Sequence, residues 1–388
     1  MIRKIKYFLI LSSLFAIVSV SETSAQWSIM KSDADSLMLK GSYYIYNVQF
    51  DSASACFKEF QRRYPDEPAG YFLEAMIDWW QITIHRETNR FDKGFLRKID
   101  KVVDICDGIL EENEHDLNAH FFKGGALGYR GRYHAVRENW FSAASDGKTG
   151  FDILYKCYEV APNNHDIMLG TGIYNYFADA IPDKYPFIKP LTLFLPKGDK
   201  KIGLLQLHAS AKMARYTSVE AKVVLLQLYY SFEKNYRKAL PIVEELHNAY
   251  PSNPYFHRYL GRCYVTTSNQ AKWEATWREV VKRCIRKEKG YERVTAREGL
   301  YYIGLSLLYK KDYRTALKYF KKCEEASSFV DDDPSGFRVN ANLYLGKIYD
   351  KLGKRKYAKR KYEKVLDWDD YKGSHNAAEK YLKKAFGK

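Results

Sequence analysis

Few residues of this 388-residue chain have a spacing that catalysis would use. Asp146-Gly147-Lys148-Thr149 contains the GKT end of a phosphate-binding loop, but Ser142 stands where that loop needs a glycine, and no strand precedes it. We interpret this segment as a turn between two helices. Gly170-Thr171-Gly172 lacks the third glycine of a dinucleotide-binding fingerprint and fits close packing of helices. The nine histidines form no HExxH pair. We therefore predict that the chain is not an enzyme and needs no cofactor and no metal.

The segment 220–254 has the spacing of two paired helices. With Glu220 as position 1, Ala239 stands at position 20, Val243 at 24 and Pro251 at 32. A small residue at position 20 lets two helices approach, and a proline at position 32 ends the second helix. The small residue at position 20 recurs in units that begin at Ala34, Arg297 and Val339, and the first of these also has a proline (Pro65) at position 32. Those units also place glycine at position 8 (Gly41, Gly304, Gly346) and a large ring at position 24 (Phe57, Phe320, Tyr362).

These positions resemble the tetratricopeptide repeat (TPR) family, whose unit is a helix–turn–helix of about 34 residues. The resemblance covers most of the chain. It implies an all-α solenoid of about seven or eight antiparallel helix pairs that binds partners, and it implies no reaction. The central region is also similar to the mitochondrial outer-membrane TPR family linked to inclusion-body clearance, which implies interaction.

The resemblance further implies a partner along the concave face of the solenoid. Basic residues one turn apart beside aromatic rings would suit an acidic or carboxylate-ended peptide, although a solvated basic face is the alternative. The residues that the TPR pattern places on this face are Arg258, Arg262, Tyr301, Tyr309, Asn340, Lys347 and Lys351.

One repeat contains an insertion between its two helices. Gly172 fits position 8 and Gly203 fits position 20, which leaves about 19 residues more than a regular unit holds. The insert is apolar and rich in proline, so we expect it to pack on the solenoid or on another surface. A pocket beneath residues 181–200 is the second candidate binding site, with Tyr174, Asn175, Lys197 and Lys200 beside it. Asp199 could cap the following helix, or that helix terminus could receive an anion.

The first 25 residues have the pattern of a secretory signal. A basic start, an apolar run and the ending Thr23-Ser24-Ala25 predict cleavage after Ala25 and export to the periplasm or outer membrane. The formal net charge is +16. In an exported protein this charge favours an acidic partner or anionic envelope components over nucleic acid. The basic run 351–364 could touch anionic lipid or glycan, or be a solvated face.

The predicted organisation is a signal peptide (1–25), N-terminal TPR-like pairs (26–164), the repeat with the proline-rich insert (165–219) and C-terminal TPR repeats with a capping helix (220–388). Three short helices are expected over 116–129, 131–145 and 149–160. The six cysteines show no CxxC, and Cys263 and Cys284 could form a disulfide or remain buried thiols. We predict a non-catalytic scaffold that holds a partner protein or peptide in the cell envelope. The alternative is a small-ligand or glycan-binding protein that uses the pocket beneath the insert.

Overall fold

A computed structural model describes residues 34–189 and 195–387 of the chain. The predicted signal peptide and its cleavage point lie outside these residues. Throughout the described residues all regular structure is helical, with no strand. No helix in these ranges is long and apolar enough to cross a membrane.

Seventeen α-helices make up this part of the chain, joined by short turns except where the insert separates Lys184 from Lys200. In chain order they are α1 (Asp35–Tyr46), α2 (Phe50–Arg63), α3 (Pro68–Ile84), α4 (Asp92–Glu112), α5 (Leu117–Val136), α6 (Trp140–Val160), α7 (Ile167–Lys184), α8 (Lys200–Met213), α9 (Ser218–Gln227), α10 (Tyr236–Ala249), α11 (Pro254–Thr266), α12 (Gln270–Ile285), α13 (Arg293–Tyr309), α14 (Tyr313–Val330), α15 (Gly336–Lys351), α16 (Arg355–Leu366) and α17 (Ser374–Lys383). A π-helical turn over Leu228–Phe232 extends α9.

The helices pair two by two, as the repeat pattern predicts, and give eight pairs followed by the predicted capping helix α17. The glycine at position 8 lies against the ring at position 24. A Cβ atom on Gly261 would come within 2.6 Å of the Trp277 ring, and one on Gly304 within 3.2 Å of Phe320. The alanines at position 20 are fully buried, namely Ala53, Ala239, Ala316 and Ala358. Small residues therefore set the distance between paired helices.

The three short helices predicted over 116–160 are wrong, because the segment forms only α5 and α6. The GKT segment consequently lies within α6 and is not a turn. The glycines that suggested breaks instead allow backbones to touch. A Cβ on Gly131 would lie 3.0 Å from the amide nitrogen of Gly147, and one on Gly150 would lie 2.8 Å from the carbonyl oxygen of Gly124. These two helices are 20 and 21 residues long, so this pair extends well beyond a regular repeat.

The first six pairs, α1 to α12, curl until the sixth pair touches the first two. Asn253 Nδ2 donates to the carbonyl oxygen of Tyr46 over 2.9 Å, although the residues are 207 positions apart. The Trp80 and Phe256 rings meet edge to face at 5.5 Å. We call these twelve helices the ring and the remaining helices, α13 to α17, the arm. The predicted boundary at 219/220 falls at the start of α9, and ring contacts join helices from both sides of it.

Candidate functional site

The inner wall of the ring encloses a chamber of about 540 Å³. Its lining comes mainly from the first helix of each pair, together with the long helix α6. Most of the lining is apolar, and much of it is aromatic. The rings that line it are Tyr46, Phe72, Trp79, Trp80, Phe121, Phe122, Tyr129, Trp140, Phe151, Tyr174, Phe177, Tyr185, Tyr216, Phe232 and Tyr259.

Glycines on α5 form one side of the chamber. Gly124 and Gly131 are needed for packing on α6, because added Cβ atoms would lie 2.8 Å from Leu154 and 3.0 Å from Gly147. Packing does not require a glycine at position 128, since a Cβ on Gly128 would meet nothing within 4 Å. The residue nevertheless lines the chamber. Gly125 is similar, with only Phe72 at 3.7 Å. The missing side chains are therefore part of what keeps the space open.

One ion pair lies in this apolar lining. The guanidinium of Arg132 packs against the rings of both Trp79 and Tyr129, at 4.8 and 4.9 Å from their centroids. Glu220 is 7% exposed, and its Oε1 accepts a 2.7 Å hydrogen bond from Trp80 Nε1. Arg132 Nη1 and Glu220 Oε2 are 4.0 Å apart, which is too long for a hydrogen bond. Within the described residues neither of these two buried atoms has a hydrogen-bond partner.

Two tyrosine hydroxyls beside this pair remain neutral. Burial raises the pKa of both Tyr46 and Tyr129 well above the usual range, and the negative charge of Glu220 raises it further. These two tyrosines therefore offer neutral hydroxyl groups beside the ion pair.

The described part of the insert lines one side of the chamber through Tyr185 and Leu195. The Tyr185 ring packs on Trp140 at 5.4 Å. Tyr174, a predicted site residue, also lines the chamber, stacks on Phe151 at 4.0 Å and donates from its hydroxyl to the carbonyl oxygen of Pro196. The described part of the insert thus packs on the solenoid, as expected from its composition.

The other residues predicted beside the insert do not line the chamber. Asn175 donates to Gln206, and Lys200 pairs with Glu233 at 2.7 Å, while Lys197 is exposed. Asp199 caps α8 by accepting from the amides of Lys201 and Ile202, which confirms the capping alternative. The anion-binding alternative is wrong at this terminus, because its first amides already donate to carboxylates of the chain.

The two arginines predicted as a basic pair on α11 share one carboxylate of the chain. Arg258 Nη2 lies 2.9 Å from Glu298 Oε2, and Arg262 Nη2 donates to the same oxygen over 2.8 Å. Glu298, on α13, is 1% exposed. Burial alone would raise the pKa of Glu298, but Arg262 and Arg258 outweigh it and hold the pKa below its usual range. These two arginines join the ring to the arm. The one carboxylate offsets one of their two positive charges, and the other charge remains at this junction.

The other residues predicted to lie on the concave face are in the arm. Tyr301 packs among the rings of Tyr302, Phe320, Phe337 and Tyr344, and Asn340 is half-buried. Lys347 and Lys351 lie near Phe386, at 5.4 and 5.6 Å from its ring. Lys347 is partly buried there, whereas Lys351 is exposed, as is Tyr309 at 67%. Peptide binding along this face stays a prediction.

The basic run 351–364 is partly paired. Arg355 bonds to Asp350, and both Lys361 and Lys364 bond to Glu324. All six cysteines are free thiols, so the disulfide considered between Cys263 and Cys284 is wrong. Burial raises the pKa of both thiols to about 12, which keeps them unreactive at neutral pH.

Sequence analysis missed the residues that matter most to the chamber. Gly128 and Arg132 lie on α5 and Glu220 lies on α9, and these residues form no local motif. The one available signal was the density of glycine in α5. The structure also brings His85, Glu87 and Glu292 together, with potential metal-ligand atoms within 4.8 Å of one another, although both glutamates are exposed. Their approach again depends on ring closure.

No family model matches the chain, and no curated protein does. Similar solved structures include the C-terminal part of a TPR repeat-containing protein from Cytophaga hutchinsonii, at 11% identity and a TM-score of 0.46 over 72% of this chain and 94% of that one. Yeast Tom70 is 9% identical, with a TM-score of 0.39 over 88% and 86% of the two chains. The apo form of RapI is 12% identical, with a TM-score of 0.43 over 91% and 99%.

Similarities this low carry no argument about function, and the resemblance of the central region to the mitochondrial family stays a prediction. The fold rests on the chain's own geometry. Eight helix pairs follow in sequence, and at Gly41, Gly172, Gly261, Gly304 and Gly346 a Cβ atom would meet the large side chain of the paired helix. The protein is an all-α solenoid of tetratricopeptide-type helix pairs.

Proposed function

We propose that this protein is a non-catalytic binding protein of the cell envelope and that its chamber holds a small, largely apolar ligand. A volume of about 540 Å³ suits a drug-sized molecule, since such sites span roughly 300–1,000 Å³. Export rests on the predicted signal peptide alone. The ligand site corresponds to the alternative predicted beneath residues 181–200, enlarged to include the inner face of the ring.

The observation that carries this proposal is the side of the chamber formed by glycines of α5, where no side chain fills the space. A glycine inside a helix destabilises it by roughly 1 kcal/mol relative to alanine. At Gly128 no packing contact compensates, since a Cβ there would enter open space. A site selected only for stability would carry a side chain at this position. An empty chamber retained at that cost is expected of a binding protein whose ligand fills it.

The solvent-facing edge of the chamber supports the same function. Arg86, Lys184 and Ser231 line the chamber and are exposed, so they mark where it opens. Lys184 lies 3.7 Å above the centroid of the Phe232 ring. Its Nζ also donates to the carbonyl oxygen of Ser231 over 3.3 Å. An apolar ligand would therefore enter past a polar, basic edge.

The test uses Nile red, an uncharged apolar dye whose fluorescence rises in apolar surroundings. The full chain without its first 25 residues is titrated with the dye and compared with Gly128→Phe, which fills the chamber. Gly108→Phe is the matched control, because Gly108 is an exposed residue within α4 with nothing within 4 Å of an added Cβ.

We expect Gly128→Phe to weaken dye binding by about tenfold or more, as expected when a bulky side chain occupies a drug-sized site. Gly108→Phe should bind as the parent chain does. Equal binding by all three proteins would show that the dye binds elsewhere, and no binding by the parent chain would overturn the chamber as a ligand site.

The hypothesis of a protein or peptide partner has less support from the geometry. Arg258 and Arg262 share the carboxylate of Glu298, which offsets one of their two charges, and Lys347 lies partly buried beside Phe386. That hypothesis, and peripheral contact with anionic envelope components, stay predictions.

A further inference from the structure

The ion pair in the chamber wall is incompletely bonded. Arg132 Nη1 and Glu220 Oε2 are buried, face each other at 4.0 Å and have no hydrogen-bond partner within the described residues. Buried polar atoms in folded proteins are nearly always hydrogen-bonded. Here the side chains on both sides are fixed, Arg132 by the rings of Trp79 and Tyr129 and Glu220 by Trp80. The pair therefore offers one donor and one acceptor at a fixed distance.

The charges of the pair cancel, which decides the kind of ligand group that it can accept. A carboxylate hydrogen-bonded to Arg132 would bring a second negative charge close to Glu220 in surroundings that screen charge poorly. An ammonium group bonded to Glu220 would meet Arg132 in the same way. An amide or a hydroxyl group carries an acceptor and a donor and no charge, so it can accept from Arg132 and donate to Glu220 together.

We propose that the chamber selects apolar molecules that carry one uncharged donor–acceptor group, such as a fatty amide or alcohol, over the carboxylic acid of the same chain length. This inference rests on the proposed function, because it assigns the ligand class of the same chamber. Arg132 and Glu220 are its specificity-determining residues.

The experiment is displacement of Nile red from the parent chain at neutral pH. Decanamide and decanoate are compared, because they have equal apolar lengths and differ at the polar group. We expect decanamide to displace the dye at about 10- to 100-fold lower concentration, the usual effect of leaving a buried charge poorly bonded.

A single variant should reverse this preference. Glu220→Gln removes the negative charge and leaves Arg132 unbalanced, so decanoate should now displace the dye at a lower concentration than decanamide. If Glu220 had only a structural role, the substitution would weaken the binding of both ligands equally. Glu274→Gln is the control, because Glu274 is a partly buried carboxylate that pairs with Arg278 and Lys310 outside the chamber. It should leave the ratio of the two ligands unchanged.

The outcomes separate the two proposals. If the dye binds the parent chain but decanoate displaces it as well as decanamide does, the ligand class proposed here is wrong and the chamber remains a ligand site. If the dye does not bind the parent chain, both proposals fail. Should Glu220→Gln not fold, the ratio measured on the parent chain decides the ligand class alone.

Discussion

The ring and the arm are built from the same helix pairs but differ in what holds them together. In the arm, side-chain hydrogen bonds join residues about one repeat apart, such as Arg297 with Asp331 and Lys361 with Glu324, 34 and 37 positions apart. In the ring, bonds also cross 140 and 207 positions, from Trp80 to Glu220 and from Asn253 to Tyr46. Stability in an open solenoid is a sum over neighbouring repeats. Closure of the ring adds stabilising contacts that no pair of neighbouring repeats supplies. It also creates an enclosed space inside the ring.

The largest expected effect is at the junction of the two regions. Glu298→Gln leaves Arg258 and Arg262 without their carboxylate, and breaking a buried ion pair in this way should lower the free energy of unfolding by about 3–5 kcal/mol. Urea denaturation should then show the arm unfolding separately from the ring. Glu279→Gln, a half-exposed residue paired with Arg283, should change stability by less than about 0.5 kcal/mol. Equal effects of the two variants would contradict a junction held by Glu298.

Ring closure is tested at Asn253, which is fully buried. Its Oδ1 caps α11 and its Nδ2 bonds to Tyr46 across the closure. Asn253→Ala should lower the free energy of unfolding by about 3 kcal/mol, because it removes a helix cap and leaves a buried carbonyl unpaired. Asn269→Ala removes only the cap of α12, and it should lower the free energy of unfolding by about 1 kcal/mol. Urea titrations of both variants measure the difference. If the two losses are equal, closure adds nothing at this residue.

Acid should weaken the ring before the arm. Burial, together with the neighbouring His247 and Arg283, lowers the pKa of His257 to about 3. Its unfolded pKa is about 6.5, so the unfolded chain binds the proton first and stability falls as pH drops below that value, by about 1.4 kcal/mol per pH unit. In the arm, Lys364 and Lys361 overcome the effect of burial and lower the pKa of Glu324 to about 2, so its contribution is lost only below about pH 4.5.

The measurement is the free energy of unfolding from pH 7 to pH 5 for the parent chain and for His257→Gln. We expect a shallower decline in the variant, with His247 accounting for part of what remains, since its pKa is also lowered by burial, to about 4. His115→Gln, at an exposed position, should follow the parent chain. An unchanged slope in His257→Gln would contradict this account.

The sequence predicted the helix pairs well because their positions repeat locally. Gly304, Ala316 and Phe320 lie within one unit, and their spacing predicts which faces of the two paired helices pack together. The long pair α5 and α6 was predicted as three helices because its glycines suggested breaks, whereas they serve close packing and open space. Glu220 was counted only as the first residue of a repeat. Its role depends on Trp80, 140 positions away, and repeat spacing contains no information about such a distance.

The closing bond from Asn253 to Tyr46 has a consequence for how the chain folds. Regular repeats can fold as they are made, because each needs only its neighbour. The inner faces of the first pairs, with Trp79 and Trp80 among them, cannot be enclosed until residue 253 has been synthesised and the long loop has closed. Until then those aromatic surfaces face water. We therefore expect the ring to be the slow-folding and aggregation-prone part of the molecule, and the part that would need a chaperone during synthesis.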